Sequence, residues 1–196
     1  MSALTIAQRL DKLFPIFCEP RFLSNQGLGK EIGFHIFDYD PECDPLVQNY
    51  LVGLKSRLES SPHSLKVLEI NLYYVILELL EARNLLQKAL DLETKQGSTA
   101  FNKSIRPLLR PEKIVEVIQN RLTGDEQLIW LTGVGAIYPW MRSHTILNNL
   151  HPILDTTPLV MFFPGFYDGQ ELRLFNTLKD DNYYRAFPLI PRNSEQ

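Results

Sequence analysis

Leu128-Ile129-Trp130-Leu131 runs directly into Thr132-Gly133-Val134-Gly135, and Leu159-Val160-Met161-Phe162-Phe163 runs into Pro164-Gly165. Neither apolar run alternates with polar residues. Continuous apolar strands of this kind are buried on both faces, as in a parallel sheet covered by helices. Working outward, residues 34–37 (Phe-His-Ile-Phe) form another strand pattern, led in by Gly27, Gly29 and Gly33. Residues 65–70 form a further one, and residues 184–190 a weaker fifth, where Pro188 points to an edge position.

Helical patterns separate these strands. Leu72, Ile76, Leu79, Leu80, Leu86 and Leu90 recur at helical spacing, with Glu78, Glu81, Lys88 and Asp91 on the other side and a break near Asn84. Ile114, Val115, Ile118 and Leu122 repeat the pattern, with Pro111 at the expected first turn and Gly124 past the end. Ser143 is placed to cap a helix through Leu150, closely followed by Pro152. The reading is one α/β domain over residues 1–196. It has three layers, a mostly parallel sheet of about five strands, and an arrangement like that of P-loop NTPases or Rossmann domains without a Walker A motif. Residues 1–20 supply an amphipathic helix, residues 71–123 an added helical layer between strands, and residues 191–196 a frayed tail.

Composition sets outer bounds. The 196 residues suffice for a substantial core, and 44% hydrophobic with 22% charged is ordinary globular usage. Twenty basic against 23 acidic residues leave a net charge of -3, which argues against direct nucleic-acid binding by the isolated chain but leaves room for a local basic patch. Cys18 and Cys43 form no CxxC and no zinc-spaced cluster, so they are expected as reduced thiols in a cytoplasmic protein. No signal peptide is expected, since Gln8, Arg9, Asp11 and Lys12 interrupt the first apolar residues, and no run is long enough for a membrane span.

Ligands of open parallel sheets gather beyond the carboxyl ends of the strands. That rule selects Asp38 and Asp40 after the first strand, and Thr132, Gly133 and Gly135 after the third. It also selects Asp168 after the fourth. A phosphate loop would continue with Gly-Lys-Ser/Thr, whereas Ala136-Ile137-Tyr138-Pro139 follows here. Tyr138 stands where a dinucleotide fingerprint would place its third glycine. Gly27-Leu28-Gly29-Lys30 precedes its strand instead of following it. The acids Asp38, Asp40, Glu42 and Asp44 alternate as in a calcium loop, but Cys43 and Asn49 occupy positions that require glycine and glutamate. No GxSxG elbow or HExxH is present. His35 lies in an apolar strand as a core histidine. His144 stands with Arg142, Thr145, Asn148 and Asn149 at a helix start, where backbone amides favour an anion. Asp180, Asp181, Tyr183, Tyr184 and Arg185 form a candidate interface, since tyrosine and arginine are common anchors.

Taken together, several segments resemble the BrxB family of BREX bacteriophage-defence loci. They are Gly27-Leu28-Gly29, Ile36-Phe37-Asp38-Tyr39-Asp40-Pro41, Leu131-Thr132-Gly133-Val134-Gly135, Tyr138-Pro139, Arg142-Ser143-His144-Thr145, Leu147-Asn148-Asn149-Leu150, Phe163-Pro164-Gly165, Tyr167-Asp168-Gly169-Gln170 and Leu172-Arg173-Leu174-Phe175. Residues 179–187 continue the likeness. His151 departs from an expected glutamine, and Phe166 from an expected polar residue. The resemblance implies a small cytoplasmic component of a system that methylates host DNA and blocks phage replication. It also implies that the chain works with PglZ, an alkaline-phosphatase-like protein, and with the other BREX components. It carries over no catalytic residues, cofactor or metal. Three readings stand: a non-catalytic adaptor for PglZ; a degenerate nucleotide binder using Thr132, Gly133, Gly135, Arg142 and His144; and a metal-dependent phosphoesterase or nuclease using Asp38, Asp40, Asp168 and Asp180.

Overall fold

The computed structural model of the chain describes residues 3–24, 33–154, 157–180 and 186–193. In chain order its elements are α1 (Ile6–Asp11), α2 (Leu13–Phe17), α3 (Pro20–Leu23), β1 (Phe34–Tyr39), α4 (Asp44–Glu59), β2 (Val67–Asn71), α5 (Leu72–Glu81), α6 (Leu86–Ile105) and α7 (Pro111–Gln119). Then come β3 (Leu128–Thr132), α8 (Ser143–Leu150), β4 (Leu159–Tyr167), β5 (Leu172–Leu174), β6 (Leu178–Lys179) and β7 (Phe187–Pro188). The fold is α/β. Five strands pair in parallel in the order β2-β3-β4-β1-β7, so the chain crosses from the middle of the sheet to one edge after β1 and returns strand by strand. β4 then runs past the parallel ladder and pairs antiparallel with β5, which pairs with β6.

The two apolar runs lie at the heart of this sheet because alternate side chains must be buried on opposite faces. Ile129, Leu131, Leu159, Met161 and Phe163 pack toward α5, α6, α7 and α8. Leu128, Trp130, Val160 and Phe162 pack with α1, α2 and α4 on the other face. α4 meets that face through Val47, Leu51, Leu54 and Leu58, a spacing that returns to one side of a helix. All of β3 and eight of the nine residues of β4 are buried.

Local chemistry explains the breaks. The helical N-terminal stretch is divided at Lys12, since the ring of Pro15 is incompatible with the carbonyl of Asp11 in a continuous helix. Asn84 adopts φ +54° between α5 and α6, and Gly97 at φ +79° kinks α6. Pro111 opens α7 as expected. One expectation needs correcting: Ser143 is the first residue of α8, not its cap, and Arg142 precedes it without a side-chain cap. The fifth strand is an edge strand, as Pro188 indicated, with His35 and Ile36 of β1 opposite Phe187 and Pro188. His35 packs between the rings of Phe22 and Phe187, and burial pushes its imidazole down to about 4, so it is neutral at pH 7. Gly27 and Gly29 lie outside the described residues. Cys18 and Cys43 are free thiols. Among the described residues, no helix is long and apolar enough to cross a membrane.

Candidate functional site

Where β1 and β4 end, the chain fills its own crevice. Thr5 closes a capping box with Gln8 at the start of α1, which holds Arg9 inward at 3% exposure. The Arg9 guanidinium donates to an Asp38 carboxylate oxygen at 2.8 Å, to the Asp38 carbonyl at 2.6 Å and to the Ile190 carbonyl at 2.7 Å. Arg192 reaches in from the other end of the chain. It donates to the second Asp38 oxygen at 2.8 Å, to Asp40 at 2.9 Å and to the Gly165 carbonyl at 2.6 Å. The hydrogen bond from Arg192 holds the Asp40 carboxyl below its usual range. Burial pulls Arg9 below the ordinary arginine value, opposed by Asp38. Burial also works against the charge of Arg192, but Asp38 and Asp40 outweigh it and hold that guanidinium above its usual value. Asn176, in the turn between β5 and β6, donates to Asp40 at 3.2 Å. Gly165 on β4 lets β5 pair closely beside it, since a Cβ there would lie 2.1 Å from the Arg173 carbonyl oxygen.

At the ends of β2 and β3 the glycine pair has a steric role. The Asn71 side chain caps α5, accepting from the Tyr73 amide at 3.0 Å. It lies directly over Gly133, which has φ +71° and whose Cβ would stand 2.4 Å from the Asn71 Oδ1. Only glycine meets both demands without strain. Gly135 gives similar room to the Phe175 ring and Pro164, each 3.0 Å from its virtual Cβ. The buried Thr132 hydroxyl donates to Glu69 on the neighbouring strand at 3.0 Å.

A third polar node lies at the start of α8. The Asp180 carboxylate accepts from the His144 amide at 3.2 Å and meets the His144 Nδ1 at 2.6 Å. The Thr145 hydroxyl lies 3.1 Å from the His144 Nε2. Arg142 donates to the Lys179 carbonyl at 3.2 Å. The chain's own Asp180 thus supplies an anion at this helix N-terminus. Asp168 is exposed and accepts from the amides of Gln170 and Glu171 in its own turn.

The ten candidate crevice residues therefore divide. Asp38 with Asp40, Thr132 with Gly133, and Arg142 with His144 form three separate nodes, Gly135 packs against Phe175 and Pro164, and Tyr138, Asn148 and Asp168 are exposed. Arg142 and His144 reach the end of β6 and the residue after it. Among the described residues, no group of three or more His, Cys, Asp or Glu side chains is arranged to hold a metal ion. Of the candidate interface residues, Asp180 is buried at 7% exposure; Asp181, Tyr183, Tyr184 and Arg185 lie outside the described residues.

One surface escaped the sequence reading. Tyr73 and Tyr74 open α5 with 40% and 62% of their surface exposed, and Leu90 on α6 is 45% exposed. Between these helices runs a groove of about 220 Å³, lined by Tyr73, Leu77, Leu80, Leu90 and Phe101 and closed at one end by Trp140. The signal was available: Leu72, Val75, Ile76, Leu79 and Leu80 define the inner face of α5, which leaves two adjacent tyrosines off it.

The family described as BREX protein BrxB has a model that matches residues 68–189. The BREX protein BrxB of Bacillus cereus (strain H3081.97) is 48% identical over 191 residues, covering 95% of this chain and 98% of its own length. The BREX protein BrxB of Escherichia coli O9:H4 (strain HS) is 35% identical over 184 residues, covering 93% of this chain and 90% of its own. No solved structure matches the chain.

Proposed function

The chain belongs to the BrxB family of BREX proteins, and from that premise we propose that it is a non-catalytic adaptor that binds a PglZ-like protein. In this role it supports assembly or regulation of the complex that methylates host DNA and restricts phage. The observation that carries the reading is the α5–α6 groove with Tyr73, Tyr74 and Leu90 turned outward. Exposed aromatic side chains around an apolar groove are the ordinary form of a protein-binding surface. The polar residues at the strand ends support the same reading, because Asp38, Asp40, Thr132, His144 and Asp180 already bind other parts of the chain.

The test is co-purification from cells carrying the whole defence locus. Tagged protein should retain the PglZ-like component, and Tyr74→Ala combined with Leu90→Ala should lose it while remaining folded. A functional locus in which the tagged wild-type protein never retains that component ends the proposal.

A further inference from the structure

Chain-wide acidity conceals a local imbalance. The 23 acidic residues are spread through the sequence, yet residues 94–111 and residues 127–154 contain none of them. The fold brings these two stretches together, since the Trp140 indole N–H donates to the Asn102 side chain at 2.7 Å. The Phe101 ring also packs edge-on against Trp140. On the far side of this contact from the α5–α6 groove lies a second cavity of about 390 Å³, lined by Lys103, Arg106, Pro107, Pro139 and Trp140. Lys103 and Arg106 are exposed and make no ion pair with any described residue.

Aromatic surface continues from this cavity. Tyr138, next to Pro139, is 39% exposed and packs edge-on against Phe175, itself 37% exposed. Phe175 sits in the turn of the β5–β6 hairpin, whose paired Arg173 and Lys179 share the single carboxylate of Glu171. Arg142, with a side chain 58% exposed, lies over the backbone of Lys179. The order along the surface is thus cations, aromatic rings, cations.

We propose that this strip, from Lys103 and Arg106 across Trp140, Tyr138 and Phe175 to Arg142 and Lys179, binds single-stranded nucleic acid. Bases have π-faces that stack on aromatic side chains whatever their sequence, and flanking cations hold the phosphates. A duplex keeps its bases stacked inside and offers the rings no partner. The site meets the α5–α6 groove at Asn102 and Trp140, which line both cavities, but Lys103, Arg106, Pro107 and Pro139 line the second cavity and not the groove.

The experiment uses the full chain and a labelled oligothymidine of about 20 nucleotides in about 50 mM salt, with anisotropy and tryptophan fluorescence read together. Trp130 is fully buried in the core, so quenching reports Trp140. Binding should quench that fluorescence and exceed binding to a duplex of equal length. Lys103→Ala with Arg106→Ala should weaken it about tenfold and flatten the logarithmic salt dependence by about 1.4, two phosphate contacts' worth for a single strand. Tyr138→Ala should weaken it about tenfold with the salt slope kept. All these side chains are exposed, so an unchanged unfolding midpoint certifies the variants. Absence of binding at this salt overturns the proposal. Equal affinity for duplex, or variants that bind like the wild type, also overturns it. So does a Lys103→Ala, Arg106→Ala variant that loses the PglZ-like component but still binds the oligonucleotide, for the strip is then a protein interface.

Discussion

Asp38 at the end of β1 and Trp140 beyond the end of β3 lie in regions built by opposite means. Around Asp38 each charge is matched: two guanidiniums, two carboxylates and the carbonyls of Asp38, Ile190 and Gly165 leave little unspent polarity. Around Trp140 aromatic rings face outward, and Lys103 and Arg106 form no ion pair among the described residues. The lesson is that a dense group of ionisable residues at a strand end need not serve chemistry. Here it fastens α1, the end of β1, the extension of β4 and the segment after β7 to one another.

The contrast is open to measurement. Its strongest test is Asp38→Ala, which leaves the buried Arg9 guanidinium without its carboxylate and takes one of two carboxylates from Arg192. Unfolding in urea should show a loss of about 3–5 kcal/mol, and Arg9→Ala should approach it. A loss near zero would mean that the Asp38 cluster does not hold the fold. Gly133→Ala should cost about 2–3 kcal/mol, from the positive φ and from displacement of the Asn71 cap. Combining it with Asn71→Ala should cost less than the two separate losses added, because the clash is then gone. Smaller again is an acid effect. The His35 imidazole has a folded value of about 4 against an ordinary 6.5, so the unfolded chain takes up the proton first. The stability it contributes is complete above about 6.5 and is lost as pH falls toward 4, by on the order of 1–2 kcal/mol at pH 5. His35→Phe should flatten that part of the pH curve. Smallest in stability are Tyr74→Ala and Leu90→Ala, each within about 0.5 kcal/mol of wild type, since both side chains are largely exposed. If both fold normally and the pair together loses the PglZ-like component, the division between fastening and binding regions is sharpened.

Much of the fold was legible in the sequence. The apolar runs at 128–131 and 159–163 identified buried parallel strands, Pro188 marked an edge and Asn84 a break, each by local chemistry. The strand order was not legible, because nothing in residues 34–37 indicates that β1 pairs with β4 and lies three places from β2. Ser143 was misread as a cap because the group that serves the start of α8, Asp180, lies 36 residues away from His144 in sequence. Asp38 and Asp40 share Arg192, but their partners Arg9 and Arg192 come from the two ends of the described chain, far from either acid in sequence. Tyr73 and Tyr74 went unnoticed since the helical pattern directs attention to the buried face.

Arg192 has a consequence in time as well as space. Synthesis runs from N-terminus to C-terminus, and a chain emerging from the ribosome presents Arg9 and Asp38 long before Ile190 and Arg192 exist. In that interval Asp38 has one guanidinium and not two, Arg9 lacks the Ile190 carbonyl, and β1 has no β7 beside it. The nascent protein therefore carries an open sheet edge next to a half-neutralised buried acid until β7 and Arg192 have been made. That edge is where a chaperone, or a stray strand of another chain, would meet it first.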